Sequence, residues 1–295
     1  MWTQTVDLHS HSTHSDGEHD VEVVATLMAS EGVTTWALTD HDTTDGWYQA
    51  SIEAKQRGLH FIPGVEITCD PALAPNEDHL AALGRERASS SWHLLALFPE
   101  HDPSNSSQEI DAFKRWLAPR QDGRHPRMAA MCERLTALGM PVDFEAVCQR
   151  ATGSVGRPHL AEEMIHLGYV STKQEAFETW IGDGLPGYVA HAKPSLVEAV
   201  QAVKNAGGVT SLAHPLYYGV PTPELIDVLV STGVDAVEAV HRSHPDAYRF
   251  ELMTEATQRG LGITVGSDFH GLSSQPRPGN MPVQTDALLS RLKLH

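Results

Sequence analysis

Short apolar runs alternate with amphipathic stretches from the first residues of this 295-residue chain. Thr5–His9 carries Val6 and Leu8 at alternate positions, as a half-buried strand does. In Asp20–Glu31, Val21, Val24, Leu27 and Met28 recur at helical spacing. Thr35–Thr39 reads as a strand, Tyr48–Arg57 as a helix stopped by Gly58, and Leu59–Thr68 as a third strand. A polar stretch, Asp70–Ser91, long enough for a lid or an unstructured loop, delays the next strand at Trp92–Phe98. From about residue 100 to 186 the pattern predicts helices and loops alone: Ser107–Leu117, Pro126–Leu138, Phe144–Arg150, Pro158–Leu167 and Gln174–Ile181. Alternation then resumes with helices at Ser195–Asn205, Pro223–Ser231 and Asp246–Gln258. Strands fall between and after them at Gly208–Ala213, Ala236–Val240 and Leu261–Val265. Beyond Gly271 the chain is rich in Pro and Ser before a short helix near Leu288–Leu292.

Strands separated by helices predict a parallel sheet with helices outside. A barrel, distorted or seven-stranded, is the first expectation and an open doubly wound sheet the second. Residues 1–99 and 187–295 would build the barrel, and 100–186 a helical insertion acting as a cap. Polar residues recur where the apolar runs end: His9, His41, Glu66, His214 and Asp268. Barrels of this type keep their chemistry on that rim. His93 lies near the start of its run instead, which fits an antiparallel or irregular strand.

Composition narrows the chemistry. The formal charge, 21 minus 38 or −17, leaves no basic face for gripping duplex nucleic acid. A small phosphorylated substrate stays compatible, because bound divalent cations reverse the local sign. Cys69, Cys132 and Cys148 form no close pair, so neither a disulfide framework nor a cysteine zinc site is indicated. No apolar run approaches a membrane span and the first histidine pair starts too early for a signal peptide, so a cytoplasmic protein is expected. Nothing in the pattern fixes an oligomeric state. The 18 histidines form no tag-like tract. His9 and His11 stand at i and i+2 of an extended segment and therefore project to one side. Asp268 and His270 repeat the device, which suggests a metal site assembled from several strand ends.

Five segments carry a resemblance: Asp7-Leu8-His9-Ser10-His11 with Ser15-Asp16-Gly17, Leu38-Thr39-Asp40-His41-Asp42-Thr43, Gly64-Val65-Glu66, Ala213-His214-Pro215, and Gly266-Ser267-Asp268-Phe269-His270. Together, and in this order, the chain resembles the PHP (polymerase and histidinol phosphatase) family. It is most similar to the stand-alone branch that includes nucleoside 3′,5′-bisphosphate phosphatases and a 5′-to-3′ exonuclease acting on short RNA. The resemblance implies a distorted seven-stranded (β/α) barrel and two to three divalent metal ions. His9, His11, Glu66 and Asp268 would hold the first, Glu66, His93 and His214 the second, and Asp16, His41 and His270 the third. Such imidazole and carboxylate sets suit Mn, Zn or Fe and disfavour calcium. A shared Glu66 would let two cations sit about 3.5–4 Å apart, the spacing that clamps a phosphoryl group. The implied activity is in-line hydrolysis of a phosphate monoester of a small nucleotide by a metal-bridging hydroxide, with Glu66 and Asp268 central. A nucleoside 3′,5′-bisphosphate yielding the 5′-monophosphate and phosphate is the leading candidate. A 5′-3′ exonuclease on short 5′-phosphorylated oligoribonucleotides is the alternative.

Outside this set, Arg157 and His191 correspond to positions that contact substrate phosphate in this branch, and His244 to a histidine seen in relatives. A solvated arginine and surface histidines are the bland readings. Asp40 and Asp42 flank His41 and would orient imidazoles. Trp180, Tyr188, Tyr217 and Tyr218 are candidates for a nucleobase platform, or core packing. His14, His19, His60, His79, His101, His125, His166 and His295 read as surface residues. Where the family opens its first helix with a Pro-rich turn, this chain has Glu18-His19-Asp20, with Asp20 as N-cap. Two rival classes remain. An amidohydrolase with a bridging carboxylated lysine needs a strand-end Lys, which this chain lacks. A catalytically silent nucleotide-binding module would be expected to have lost some of the ligand-competent side chains, and all are kept.

Overall fold

Seven strands hydrogen-bond in one sheet whose spatial order is their order in the chain: β1 Val6–Asp7, β2 Thr35–Leu38, β3 His60–Cys69, β4 Trp92–Leu97, β5 Val209–Leu212, β6 Ala236–His241 and β7 Gly262–Gly266. The computed structural model describes residues 5–151, 155–190, 193–273 and 276–279. The sheet curls until its ends meet. Leu8 N donates to Val265 O at 2.9 Å, and Ser10 bridges Phe269 in parallel. This is the distorted (β/α)7 barrel expected from the alternation, and not an open sheet.

The distortion lies in β4, which runs antiparallel to both β3 and β5 while the other pairings are parallel. Reversal brings the start of β4 to the rim where its neighbours end, so His93 pairs with Thr68. The early position of His93 in its apolar run has this cause. Glu66 was expected at a strand end but lies within β3. That strand continues to Cys69 by antiparallel pairing with β4, beyond the end of β2, and Glu66 bridges His41 there.

Helices α1 Val21–Ser30 and α2 Trp47–Arg57 follow β1 and β2. Asp20 caps α1 by accepting from Val23 N at 2.9 Å, and Gly58 ends α2 in the left-handed conformation that glycine adopts without cost. The polar 70–91 stretch is not wholly irregular: it holds α3, Glu77–Ala82, capped by Asn76. The helical region contains α4 Gln108–Asp122, α5 Arg124–Ala137, α6 Phe144–Arg150, α7 Arg157–His166 and α8 Lys173–Ala176, then a π turn, Phe177–Ile181. After it come α9 Leu196–Asn205, a 3-10 turn at Pro215–Tyr218, α10 Thr222–Thr232 and α11 Asp246–Gln258. The helix expected near residues 288–292 lies outside the described residues.

Val6, Leu8, Ala37, Leu95, Leu97 and Ala213 fill the barrel interior. A larger cluster lies between sheet and outer helices, and α4 joins it through Ile110, Phe113 and Leu117. Residues from Met128 to Ile181 form a separate cluster around Leu135 and Leu160. Each fully buried leucine stabilises by about 1.5–3 kcal/mol, so this part carries a core of its own.

Candidate metal centre

Ser10 fixes the first pair of imidazoles. Its Oγ donates to Ala37 O at 2.9 Å and its backbone N donates to Thr39 Oγ1 at 3.1 Å. His9 and His11, on either side, therefore turn inward together, and both are buried. Glu66 lies at the focus. Its Oε1 is 2.8 Å from His93 Nδ1 and 2.9 Å from His214 Nε2. Its Oε2 is 3.1, 3.2 and 3.3 Å from His11 Nε2, His9 Nε2 and His41 Nδ1. Asp268 Oδ1 lies 3.2 Å from His11 Nε2 and 3.3 Å from His9 Nε2. Asp16 faces His270 Nε2 at 3.3 Å and His41 Nε2 at 3.8 Å. The fold thus gathers all the ligand candidates read from the chain. Their donor atoms group as His9, His11, Glu66 and Asp268, as His41, Glu66 and His93, and as His11, Asp16, His41 and His270. His214 joins through the Glu66 oxygen it shares with His93.

These residues fit divalent ions. His9 Nε2, His11 Nε2, His41 Nδ1, Glu66 Oε2, Asp16 Oδ1 and Asp268 Oδ1 are buried with no hydrogen-bond partner, although they face one another closely. Each buried polar atom left so costs about 1–3 kcal/mol, a cost that coordination to a cation removes. The outer edges of the rings are committed elsewhere. His9 Nδ1 meets the Glu238 carboxylate at 3.0 Å, and His270 Nδ1 meets the Asp268 carbonyl oxygen at 3.0 Å. Both partners accept, so the protons sit on Nδ1 and the Nε2 lone pairs face the centre.

Without an ion, the carboxylates stay charged, and His9 and His270 favour a second ring proton that an ion would displace. Burial would raise the Glu66, Asp16 and Asp268 carboxyls, but the imidazoles around them hold each well below the usual range. Burial would lower His9 and His270. Glu66 and Glu238 instead raise His9 well above its ordinary value, and Asp16 and Asp268 raise His270 to about 10. His41 goes the other way, driven by burial to about 4 against the pull of Glu66 and Asp16.

Asp42, His214 and Asp268 have φ of 52°, 27° and 51°, in the left-handed region that non-glycine residues avoid. Each follows the end of β2, β5 or β7, and each such residue costs about 1–3 kcal/mol. Gly266 answers a different need. A Cβ there would collide with Glu238 Oε1 and with His9 Cβ.

The chain pattern did not reveal Glu238 or His241. Glu238 is fully buried in β6, where its Oε2 also accepts from His214 N at 2.8 Å. His241 closes the same strand with Nε2 3.7 Å from Asp268 Oδ2. Its signal was available, since it too ends an apolar run. Asp40 does not hold an imidazole directly as expected. It accepts from Ser12 N at 2.7 Å and Ser15 Oγ at 2.7 Å, and Ser15 Oγ lies 3.4 Å from His11 Nδ1. Asp42 accepts from Thr68 N at 3.0 Å.

Among the described residues, a smaller and a larger cavity open onto the cluster. The smaller, about 230 Å³, has Arg127, Arg157 and Lys193 on its walls and His41 and His93 at its floor. Arg157 pairs with Asp183 at 3.2 Å. The larger, about 540 Å³, is lined by Arg85, Arg87 and Tyr217 together with Glu66 and His214. Phe177, at the start of the π turn, borders both. His244 was expected at the substrate but lines neither cavity. It is buried behind His241, its Nδ1 3.1 Å from Ala239 O, and burial pushes it down to about 3. His191 lies outside the described residues. Tyr218 is buried and its hydroxyl accepts from His93 N at 2.8 Å, so it positions a strand and offers no platform. Trp180 packs against the core of the helical region.

A model of the PHP domain matches residues 7–118. A 3′,5′-nucleoside bisphosphate phosphatase of Chromobacterium violaceum is 30% identical over 273 residues, covering 90% of this chain and 87% of that protein. The chain belongs to the PHP family. The 5′-3′ exoribonuclease Rnm of Salmonella typhimurium is 30% identical over 278 residues, 92% of this chain and 86% of its own. A metal-dependent phosphoesterase from Bifidobacterium adolescentis has a similar structure, with a TM-score of 0.74 and 30% identity over 97% of this chain and 95% of that one. This PHP protein is accordingly a metal-dependent phosphoesterase. Among the described residues no helix is long and apolar enough to cross a membrane.

Proposed function

We propose that this PHP protein hydrolyses the monoester phosphate of a small nucleotide, with a nucleoside 3′,5′-bisphosphate going to the 5′-monophosphate and phosphate. The observation that carries the reading is one carboxylate, Glu66, shared by five imidazoles, two of which, His41 and His93, form the floor of a cavity whose walls hold Arg127, Arg157 and Lys193. His9, His11, Glu66 and Asp268 would hold one ion, Glu66, His93 and His214 a second, and Asp16, His41 and His270 a third. When bound, Mn²⁺, Zn²⁺ or Fe²⁺ supplies Lewis acidity, neutralising charge on phosphoryl oxygens and making water acidic enough to attack near neutral pH.

The chain's own groups do the rest. Glu238 and the Asp268 carbonyl keep the ring protons of His9 and His270 on the outer nitrogens. Arg157 presents a planar fork suited to a phosphate that is not being cleaved. Asp183, its partner 3.2 Å away, keeps the fork in place until substrate arrives. Lys193, whose Nζ donates to Ser90 O at 2.9 Å, adds a point charge on the same wall. No side-chain nucleophile is needed. A cavity of about 230 Å³ and a net charge of −17 favour a compact substrate over duplex nucleic acid. The amidohydrolase alternative needs a bridging lysine, and the described residues lining the cavity that Glu66 borders include none. Phosphate release and product analysis with a 3′,5′-bisphosphonucleoside in Mn²⁺ test the proposal. Loss of the 3′ phosphate with retention of the 5′ phosphate is expected, and an unaltered substrate would refute it.

A further inference from the structure

A bisphosphate accounts for one cationic cavity and leaves the other without a role. The cleaved phosphate has to lie over the cluster, where His41, His93 and Phe177 border both cavities. The second phosphate of a bisphosphonucleoside then has Arg127, Arg157 and Lys193 on the smaller side. Arg85 and Arg87 line the larger side, beyond Glu66, on the segment between α3 and β4. Their surroundings differ from those of Arg157. Arg85 lies with its guanidinium carbon 4.5 Å from the centre of the Tyr217 ring, and its buried Nε has no hydrogen-bond partner. Among the described residues no carboxylate pairs with Arg85 or Arg87, in a chain with 38 acidic residues against 21 Lys and Arg. The segment is tied to that ring's own backbone, because Ser89 N donates to Tyr217 O at 2.8 Å. A guanidinium seated on an aromatic face keeps its N–H edge available for an anion, and its orientation is set before the anion arrives.

We propose that Arg85, held on Tyr217, is an anion subsite for a phosphate that the substrate carries beyond the one being cleaved, on the side of the cluster away from Arg157. The inference rests on the phosphoesterase reading above and adds a specificity residue to it. The anion is a nucleotide phosphodiester, one residue further along a short chain. Tyr217 supplies the seat and Arg87, more exposed at the mouth, strengthens the local field.

The test compares two substrates on the full-length, Mn²⁺-loaded protein. A 3′,5′-bisphosphonucleoside has no group for the subsite, whereas a 5′-phosphorylated trinucleotide has one. For Arg85→Ala, KM for the trinucleotide is expected to rise about tenfold or more, as loss of a charge-assisted hydrogen bond implies, with kcat little changed. The rise for the bisphosphonucleoside is expected to be at least several-fold smaller. Arg85→Lys should recover part of the trinucleotide KM, and the salt dependence of that KM should weaken in Arg85→Ala. Equal effects on the two substrates, or none on either, overturn the subsite, as does a wild-type protein that cleaves the bisphosphonucleoside but neither binds nor cleaves the trinucleotide. If wild type cleaves neither, the proposed function fails separately. Equilibrium binding of the uncleaved trinucleotide to wild type and Arg85→Ala then decides the subsite, which stands only if the variant binds about tenfold more weakly.

Discussion

Glu238 accepts a hydrogen bond from His9 at 3.0 Å, joining β6 to the end of β1 across 229 positions of the chain. The same carboxylate accepts from His214 N at 2.8 Å, so one buried group holds the His9 ring and the His214 backbone, whose imidazoles face different oxygens of Glu66. Although burial would raise it, His9 and His241 hold it down to about 2, and it is ionised throughout the working range. An ionised carboxylate only accepts, and this keeps the His9 Nε2 lone pair turned toward the centre.

Replacing Glu238 by Gln leaves one accepting oxygen for two donors. Affinity for the divalent ions should fall about 10–100-fold, as is usual when an outer partner of a ligating histidine is lost. Competition with a coloured chelator measures it, and unchanged affinity would mean that Glu238 is only packing.

Gly266→Ala attacks the same contact from the backbone. The new Cβ would collide with Glu238 and with His9 Cβ, and neither can retreat from so enclosed a site. The variant is expected to purify with little metal and a lowered Tm. Metal content and Tm equal to wild type would show that the close approach is not needed.

His241 differs from the ligating histidines in its tautomer. Ser243 N donates to His241 Nδ1 at 3.2 Å, so the ring proton sits on Nε2, facing Asp268 Oδ2. His241→Ala should cut turnover about 10–100-fold by releasing Asp268, and His241→Asn should recover part of it. Steady-state rates at saturating Mn²⁺ separate this from a loss of metal.

Removing the metal gives a pH dependence with a defined sign. With the ions chelated, His270 is raised to about 10 by Asp16 and Asp268 against the effect of burial, while an unfolded histidine titrates near about 6.5. The folded state then binds that proton more tightly. The pairing stabilises fully below about pH 6.5, and its contribution is lost as pH rises through about 10. The Tm of chelated protein should therefore fall across that interval, whereas metal-loaded protein should not follow it. Adding metal back at pH 8 should release protons from His9 and His270, read by an indicator in weak buffer.

The alternation of apolar runs was enough to place the strands and most helices, because period-2 and helical spacings are local properties of the chain. The inward turn of His9 and His11 was legible for the same reason. What stayed hidden depends on partners distant in the chain. Glu238 reads as one more polar position in an apolar strand, and only barrel closure brings it to His9. His244 was singled out because it follows a strand end, yet the turn after β6 buries it behind His241. Arg85 sat in a polar stretch with no periodicity, where nothing local marks the ring that seats it.

Anomalous diffraction from crystals of the Mn²⁺-loaded protein, recorded at the manganese edge, tests the role of Glu66 most directly. The account predicts two peaks about 3.5–4 Å apart, one bonded to each Glu66 oxygen, flanked by His9, His11 and Asp268 on one side and His93 and His214 on the other, and a third peak beside Asp16, His41 and His270. Peaks that leave Glu66 uncoordinated, or no ion within the cluster at all, would contradict it.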